Sequence, residues 1–221
     1  MATINTIAII GATGNMGSAI AKSLSKPGSY RLLLMSNDTD ELAQLYSQLK
    51  EPNTGTEIYS ISCAREASWE ADIIIVATQN DAEKEVAEKI REVATGKIVI
   101  SISNPLNSAY RQLITSSDTS AAEELQKLLP NSKVVKTFNT TFAADFISSV
   151  IDEKTADVFI AGNNGDAVKT VSEVVKSAGF NPIIAGDLSV SRTLERMQLL
   201  RIRYTMNNSY NWLAGWKILH N

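Results

Sequence analysis

Thr6-Ile7-Ala8-Ile9-Ile10-Gly11-Ala12-Thr13-Gly14-Asn15-Met16-Gly17 is the stretch on which the reading of the chain turns. An aliphatic run too short for a helix ends in three glycines at three-residue spacing, and Met16, Ile20 and Leu24 then recur at helical intervals. Strand, tight turn and helix thus follow one another directly. In that context Gly11 permits the turn, Gly14 lets the backbone approach a pyrophosphate, and Gly17 lets the helix pack closely on the strand. The amides of Thr13, Asn15 and Met16, with that of Gly14, then face an anion, and Ala12 completes the turn. A charge-assisted hydrogen bond contributes about 1.5–3 kcal/mol, against about 0.3–1 kcal/mol for the helix dipole. Backbone amides therefore dominate the predicted site.

Outward from this turn, aliphatic runs recur with helical segments between them. Strands are predicted at Arg31–Met35, Glu57–Ile61, Asp72–Val76, Lys97–Ser101, Lys133–Lys136, Asp157–Ala161 and Pro182–Ala185. Helices are predicted near 15–25, 39–49, 80–94, 120–129, 142–150 and 165–178. Runs such as Ile73–Val76 are apolar throughout instead of alternating, as expected where helices cover both faces of a parallel sheet. The fold class is α/β: a Rossmann-type, doubly wound, mostly parallel sheet with a C-terminal helical extension. Glu51-Pro52-Asn53-Thr54-Gly55 and Thr115 to Ser120 read as loops too short to link independent domains. The chain, residues 1–221, is thus expected to form a single dinucleotide-binding domain.

Beyond Asp187 the pattern changes. Leu194, Met197, Leu200 and Tyr204 form one apolar stripe, and Leu199, Ile202 and Met206 another. Trp212 and Trp216, four apart, can extend that surface. Two readings stay open for residues 188–221: an ordinary core helix with a packed tail, or an element that closes the pocket or forms a homodimer.

Composition narrows the function. Twenty-one basic against 24 acidic residues give a net charge of -3, which supplies no drive toward nucleic acid or an anionic membrane. The opening Met-Ala-Thr-Ile-Asn has no basic region, and Ile7–Ile10 is far too short to span a bilayer, so a soluble cytoplasmic protein with a small-molecule redox partner is expected. The single Cys63 excludes an intrachain disulfide and is expected to pack in the core. The only histidine, His220, stands one residue from the end, which argues against a Ser-His-Asp triad or a histidine metal centre. No metal ligand set and no acid or base are assigned; Glu83, Glu85 and Glu88 read as a solvated helix face.

Choice between NAD and NADP falls at the second strand tip, Met35-Ser36-Asn37-Asp38. Ser36 and Asn37 can donate to a 2′-phosphate without repelling it, which favours NADP. Asp38 is either a displaced ribose ligand or the cap of the next helix. A short-chain reductase would need a Tyr-x-x-x-Lys pair placed for proton transfer, and none of the tyrosines is read as supplying one.

Later segments narrow the choice further. Ala71-Asp72-Ile73-Ile74-Ile75-Val76-Ala77, Gly96-Lys97-Ile98-Val99-Ile100, Ser103-Asn104-Pro105-Leu106, Val134-Val135-Lys136-Thr137-Phe138-Asn139-Thr140, and Ala178-Gly179-Phe180-Asn181-Pro182 through Gly186-Asp187-Leu188, Arg192 and Leu194-Glu195 follow in order. Together they resemble the coenzyme F-420 (deazaflavin)-dependent NADP oxidoreductase family. The resemblance implies cofactor contacts at Ala77, Thr78 and Gln79, and a nicotinamide-side corner at Asn104-Pro105-Leu106. Asn139 repeats that corner design after the next strand. For both corners a capping turn without ligand contact stays open.

The chain departs from the family in three places. Asn37 replaces an arginine that clamps phosphate, Thr78-Gln79 replaces the commoner proline or tryptophan, and Ser103 stands where relatives often carry an acid close by. The implied reaction is direct hydride transfer between nicotinamide and a flat acceptor such as deazaflavin, which relies on orientation rather than a protein nucleophile. A non-catalytic NADP(H)-binding sensor is the alternative.

Overall fold

The computed structural model describes residues 5–26, 30–50, 55–208 and 212–219, with the side chain of Asn80 excepted. Most of the turn read at 51–55 therefore lies outside the described residues, as does His220.

β1 (Asn5–Ile10), α1 (Asn15–Ser25), β2 (Tyr30–Met35), α2 (Thr39–Lys50), β3 (Ile58–Ile61), α3 (Ala64–Glu70), β4 (Ile73–Val76), α4 (Asn80–Ile90) and β5 (Ile98–Ser101) make up the first half. α5 (Ala121–Leu128), β6 (Lys133–Lys136), a short hairpin of β7 (Val150–Ile151) and β8 (Lys154–Thr155), β9 (Asp157–Gly162), α6 (Gly165–Ser177), β10 (Asn181–Gly186) and α7 (Ser191–Asn208) complete it. The main sheet has eight strands in the order β10-β9-β6-β5-β4-β1-β2-β3. Strands β1 to β6 run parallel, and β9 joins β6 antiparallel with β10 parallel to β9. The fold is the mostly parallel, doubly wound sheet expected from the aliphatic runs.

Alternation within each strand sorts the core into two layers. Ile7, Ile9, Leu32, Leu34, Ile73 and Ile75 pack with Ile20 and Leu24 of α1, Leu42 and Leu45 of α2, and Val171 and Val175 of α6. Ala8, Ile10, Leu33, Ile74 and Val76 face Ala67 of α3, Val86 and Ile90 of α4, and Leu125 of α5. Because β1 begins leftward and β4 rightward crossovers from the centre of the sheet, the carboxyl ends of β1 and β4 open a crevice between them.

The structure corrects several expectations. A helix over 142–150 does not form: Ala143–Phe146 is one 3-10 turn, and the β7–β8 hairpin follows. The Asp145 carboxylate accepts from the Phe142 amide and holds that turn, while the β-branched Val150 and Ile151 pair with Lys154 and Thr155. Helix α3 was missed because seven residues carry too little periodicity. Cys63 is exposed, not packed, since it precedes the first residue of α3. Among the described residues no helix is long and apolar enough to cross a membrane.

Candidate functional site

The glycine turn is held to both neighbouring strands. The amides of Gly11 and Ala12 each donate to the Met35 carbonyl at 2.9 Å, and the Ala77 amide donates to Ile10 at 2.8 Å. Gly11 has φ of 87°, and a Cβ there would stand 2.7 Å from the Ala77 carbonyl oxygen; at Gly17 it would stand 2.1 Å from the Gly11 carbonyl oxygen. Internal packing thus requires both glycines. Gly14 is different. A Cβ there would meet nothing closer than 3.4 Å, yet Gly14 lines the cavity, so its missing side chain leaves room for something outside the protein.

Helix polarity points the same way. α1 has no side-chain cap and no acid in its first turn, whereas α2, α4 and α5 all have two. The first amides of α1 are therefore left for an anion. Across the crevice, the Thr78 hydroxyl oxygen is buried without a partner. A cradle emptied at Gly14, an uncompensated helix start and an orphaned hydroxyl fit a dinucleotide pyrophosphate.

The cavity, about 630 Å³, gathers Gly14, Asn15, Met16, Ala77, Thr78, Gln79, Asn104 and Leu106 from the predicted set. Gly11, Ala12 and Gly17 form the frame of the turn. Thr13, Ser36 and Asn37 lie toward the β2 tip, outside this cavity. There the Ser36 hydroxyl is buried and shares a 2.7 Å hydrogen bond with Thr13 while accepting from the Asp38 amide, so it braces the two loops. Asn37 is exposed. Asp38 accepts from the Glu41 amide at 2.9 Å and caps α2, which settles its open alternative.

At the β5 tip, Asn104 and Asn139 lock each other. Asn104 Nδ2 donates to the Asn139 carbonyl at 2.8 Å, and Asn139 Nδ2 donates to Asn104 Oδ1 at 3.0 Å. Asn104 borders the cavity, but Asn139 is 1% exposed and Pro105 is also buried, so these two stand behind the wall. Phe138, with a left-handed φ of 58°, turns the chain between β6 and Asn139.

The far wall is built by Ile202 and Trp212, from the element read as a candidate pocket closure, and by Tyr110, Phe142 and Gln198, which sequence reading did not single out. Phe142 and Trp212 meet edge to face at 5.2 Å, and the Arg201 guanidinium covers Phe142 at 3.9 Å. Arg201 is itself buried and paired with Asp145 at 2.6 Å. Burial pulls the Arg201 pKa down and pushes the Asp145 carboxyl up, and their mutual attraction opposes both. The two apolar stripes predicted on α7 give way to a partly polar one: Leu194 and Ile202 are buried with Glu195, Gln198 and Arg201, while Leu200, Tyr204 and Met206 are exposed.

A second set missed from sequence lies beneath the cavity. Lys136 and Glu195 are wholly buried and paired at 2.7 Å. Lys136 also donates to the Ser103 carbonyl, and Glu195 accepts from the Ala121 amide at the start of α5. Glu83, expected on a solvated face, is 5% exposed and sits under Ser101 and Ser103. Burial pushes its pKa up to about 7; Lys136 opposes the rise and Glu195 adds to it. One available signal was Lys136 itself, a cation directly after Val134 and Val135 on a central strand and so needing partners. The Tyr-x-x-x-Lys spacing set aside above does occur, at Tyr46 and Lys50. It lies on α2 with the ammonium 5.6 Å from the ring centroid, and neither residue lines the cavity.

A sheet in this order, with a glycine turn after its first strand and a cavity at the carboxyl ends of β1 and β4, is a Rossmann-type dinucleotide-binding fold. Residues 6–105 match the family of NADP oxidoreductases described as coenzyme F420-dependent. The F420-dependent NADP reductase of Methanocaldococcus jannaschii is 28% identical over 204 residues, covering 89% of this chain and 90% of that one. Rat metalloreductase STEAP3 is 27% identical over 87% of this chain, which spans 36% of that protein. A crystal structure from Arthrobacter sp. FB24, described as a candidate F420-dependent NADP-reductase, superposes with a TM-score of 0.82 at 24% identity, covering 97% and 99% of the two chains.

Proposed function

We propose that the protein transfers hydride between NADP(H) and a flat redox acceptor, a deazaflavin of the coenzyme F-420 type. The observation that carries this reading is the cavity itself, with Gly14 and the start of α1 on one side and the Phe142–Trp212 pair on the other. When bound, the reduced dinucleotide supplies a hydride from its nicotinamide. The amides of the glycine turn hold the pyrophosphate, Thr13 and Asn37 meet the adenosine ribose, and Asn104, fixed by Asn139, orients the nicotinamide end. Orientation and exclusion of water supply the rate.

The names of the M. jannaschii relative and of the matched family support NADP and deazaflavin as the reactants. The metalloreductase relative supports testing a flavin and a ferric chelate beside them. We further infer one cytoplasmic domain working as a homodimer, with residues 188–221 closing the pocket. Exposed Leu200, Tyr204 and Met206 on α7 support the pairing, and Gln198, Ile202 and Trp212 in the cavity wall support the closure.

The test is to mix the protein with NADPH and coenzyme F-420 and follow loss of the reduced-nicotinamide absorbance. Turnover is expected. Tight NADPH binding without turnover on deazaflavin, flavin, quinone or ferric acceptors would overturn it in favour of a sensor.

A further inference from the structure

Hydride transfer to a deazaflavin or flavin ring leaves a proton to be accounted for. Two electrons and one hydrogen leave the nicotinamide carbon, a new C–H bond forms on a deazaflavin or N–H bond on a flavin, and a conjugated ring nitrogen of the acceptor takes up one proton. No residue has so far been assigned that task. The described cavity lining contains no Asp, Glu, His or Lys, so a carboxyl that serves the reaction stands behind the wall.

Glu83 stands there. Its carboxyl lies on the inner side of α4, bonded by the hydroxyls of Ser101 and Ser103, and Ser103 is part of the cavity lining. The charged groups facing it are Lys136 at the end of β6 and Glu195 on α7; α5 presents only the Ala121 amide, to Glu195. Glu195 is already bonded by Lys136 and by that amide. Glu83 has no such pair of donors from charged or backbone groups. It is the member of the cluster free to change protonation, and Lys136 is close enough to steady the carboxylate it leaves.

We propose that Glu83 stores the proton of the reaction and exchanges it with a ring nitrogen of the acceptor through the Ser103 hydroxyl. Ser103 gives its proton to the acceptor as it takes one from Glu83, and the carboxylate left behind is reprotonated from solvent after product leaves. In the reverse direction the same path carries the proton back. This rests on the hydride-transfer reading above. It adds a positioning and proton-holding role to residues that need not touch the dinucleotide.

The two directions of reaction require opposite states of Glu83. Reduction of the acceptor by NADPH needs the neutral carboxyl, so kcat falls as pH rises through about 7. Oxidation of the reduced acceptor by NADP needs the carboxylate, so kcat rises through the same range.

The experiment compares the parent protein, Glu83→Gln and Ser103→Ala with NADPH and coenzyme F-420 across pH in both directions. It also measures NADPH affinity and, on each protein alone, the infrared band of a protonated carboxyl as pH is raised. The expected result is a loss of about 100-fold in kcat for both variants, the range of a lost proton transfer, with NADPH affinity kept and the pH limb gone in Glu83→Gln. The infrared band should disappear near pH 7 in the parent and in Ser103→Ala, and be absent from Glu83→Gln. An active parent whose pH profile survives Glu83→Gln overturns the relay alone. Should Glu83→Gln not fold, a Ser103→Ala protein with parental kcat overturns it equally. A parent that reduces no acceptor refutes the hydride-transfer reading and the relay with it, while the infrared titration still reports whether Glu83 holds the proton.

Discussion

Replacing Glu83 by Gln should change how stability depends on pH in a way the structure sets in advance. Burial raises this carboxyl from its ordinary 4.5 to about 7. Below pH 4.5 it is neutral in both the folded and the unfolded chain, and it costs nothing. As pH rises, the unfolded chain loses the proton first while the folded protein keeps it, so folding becomes less favourable. Above about pH 7 both states are ionised and the cost stays constant. With about 1.4 kcal/mol for each pH unit between the two values, the total is on the order of 3 kcal/mol. Glutamine has nearly the shape of the protonated acid and carries no charge to desolvate, so the variant lacks this decline. Urea unfolding followed by tryptophan fluorescence, at intervals from pH 4.5 to 8, measures it. The stability of Glu83→Gln minus that of the parent should climb by about 3 kcal/mol across the window. A difference that stays flat would refute the account of Glu83 as a buried acid whose charge is held off by its surroundings.

Other perturbations separate frame from site. Gly14→Val should keep the parental unfolding midpoint and lose NADPH binding, whereas Gly17→Val should lose the fold, because its Cβ would stand 2.1 Å from a carbonyl oxygen; circular dichroism and a thermal shift with NADPH distinguish them. Lys136→Met leaves the Glu195 carboxylate buried and unpaired and should cost about 3–5 kcal/mol, much of it restored by adding Glu195→Leu, as denaturant titration would show. Asn37→Arg places a guanidinium at the exposed β2 tip and should raise the preference for NADP over NAD by about tenfold, equivalent to about 1.4 kcal/mol, in titrations of the two dinucleotides. NADP at 100 times its Kd should add about 2.7 kcal/mol to the stability of the parent protein.

The dinucleotide half was legible because its constraints are local. Gly11 and Gly17 answer to backbone atoms a few residues away or on the next strand, and the β1 to β5 runs announce burial on both faces without reference to any partner. Asp38 as a cap was equally readable, since capping depends on three neighbouring residues. The acceptor half depends on contacts distant in sequence. Arg201 and Asp145 are 56 positions apart and Lys136 and Glu195 are 59, so the polar stripe on α7 could not be recognised as buried until the strand it covers was placed. Ser36 and Asn139 carried the right chemistry for ligand contacts, but the Ser36 hydroxyl is bonded to Thr13, and Asn139 is buried with its amide nitrogen on Asn104. Helix 142–150 failed because the turn that Asp145 caps gives way to the β7–β8 hairpin, in which Val150 and Ile151 pair with Thr155 and Lys154.

Asp157, at the first position of β9, has a fully buried side chain that accepts from Lys217, from the Ile218 amide and from Asn181. The segment around Trp216 is thereby clipped to the sheet at a place remote from the glycine turn, and Trp212 reaches the cavity from just before that clip. One wall of the cavity thus hangs from a single carboxylate on the far side of the sheet. On the proposed reading, substitutions after α7 alter the aromatic wall at Trp212 and leave the glycine turn in place.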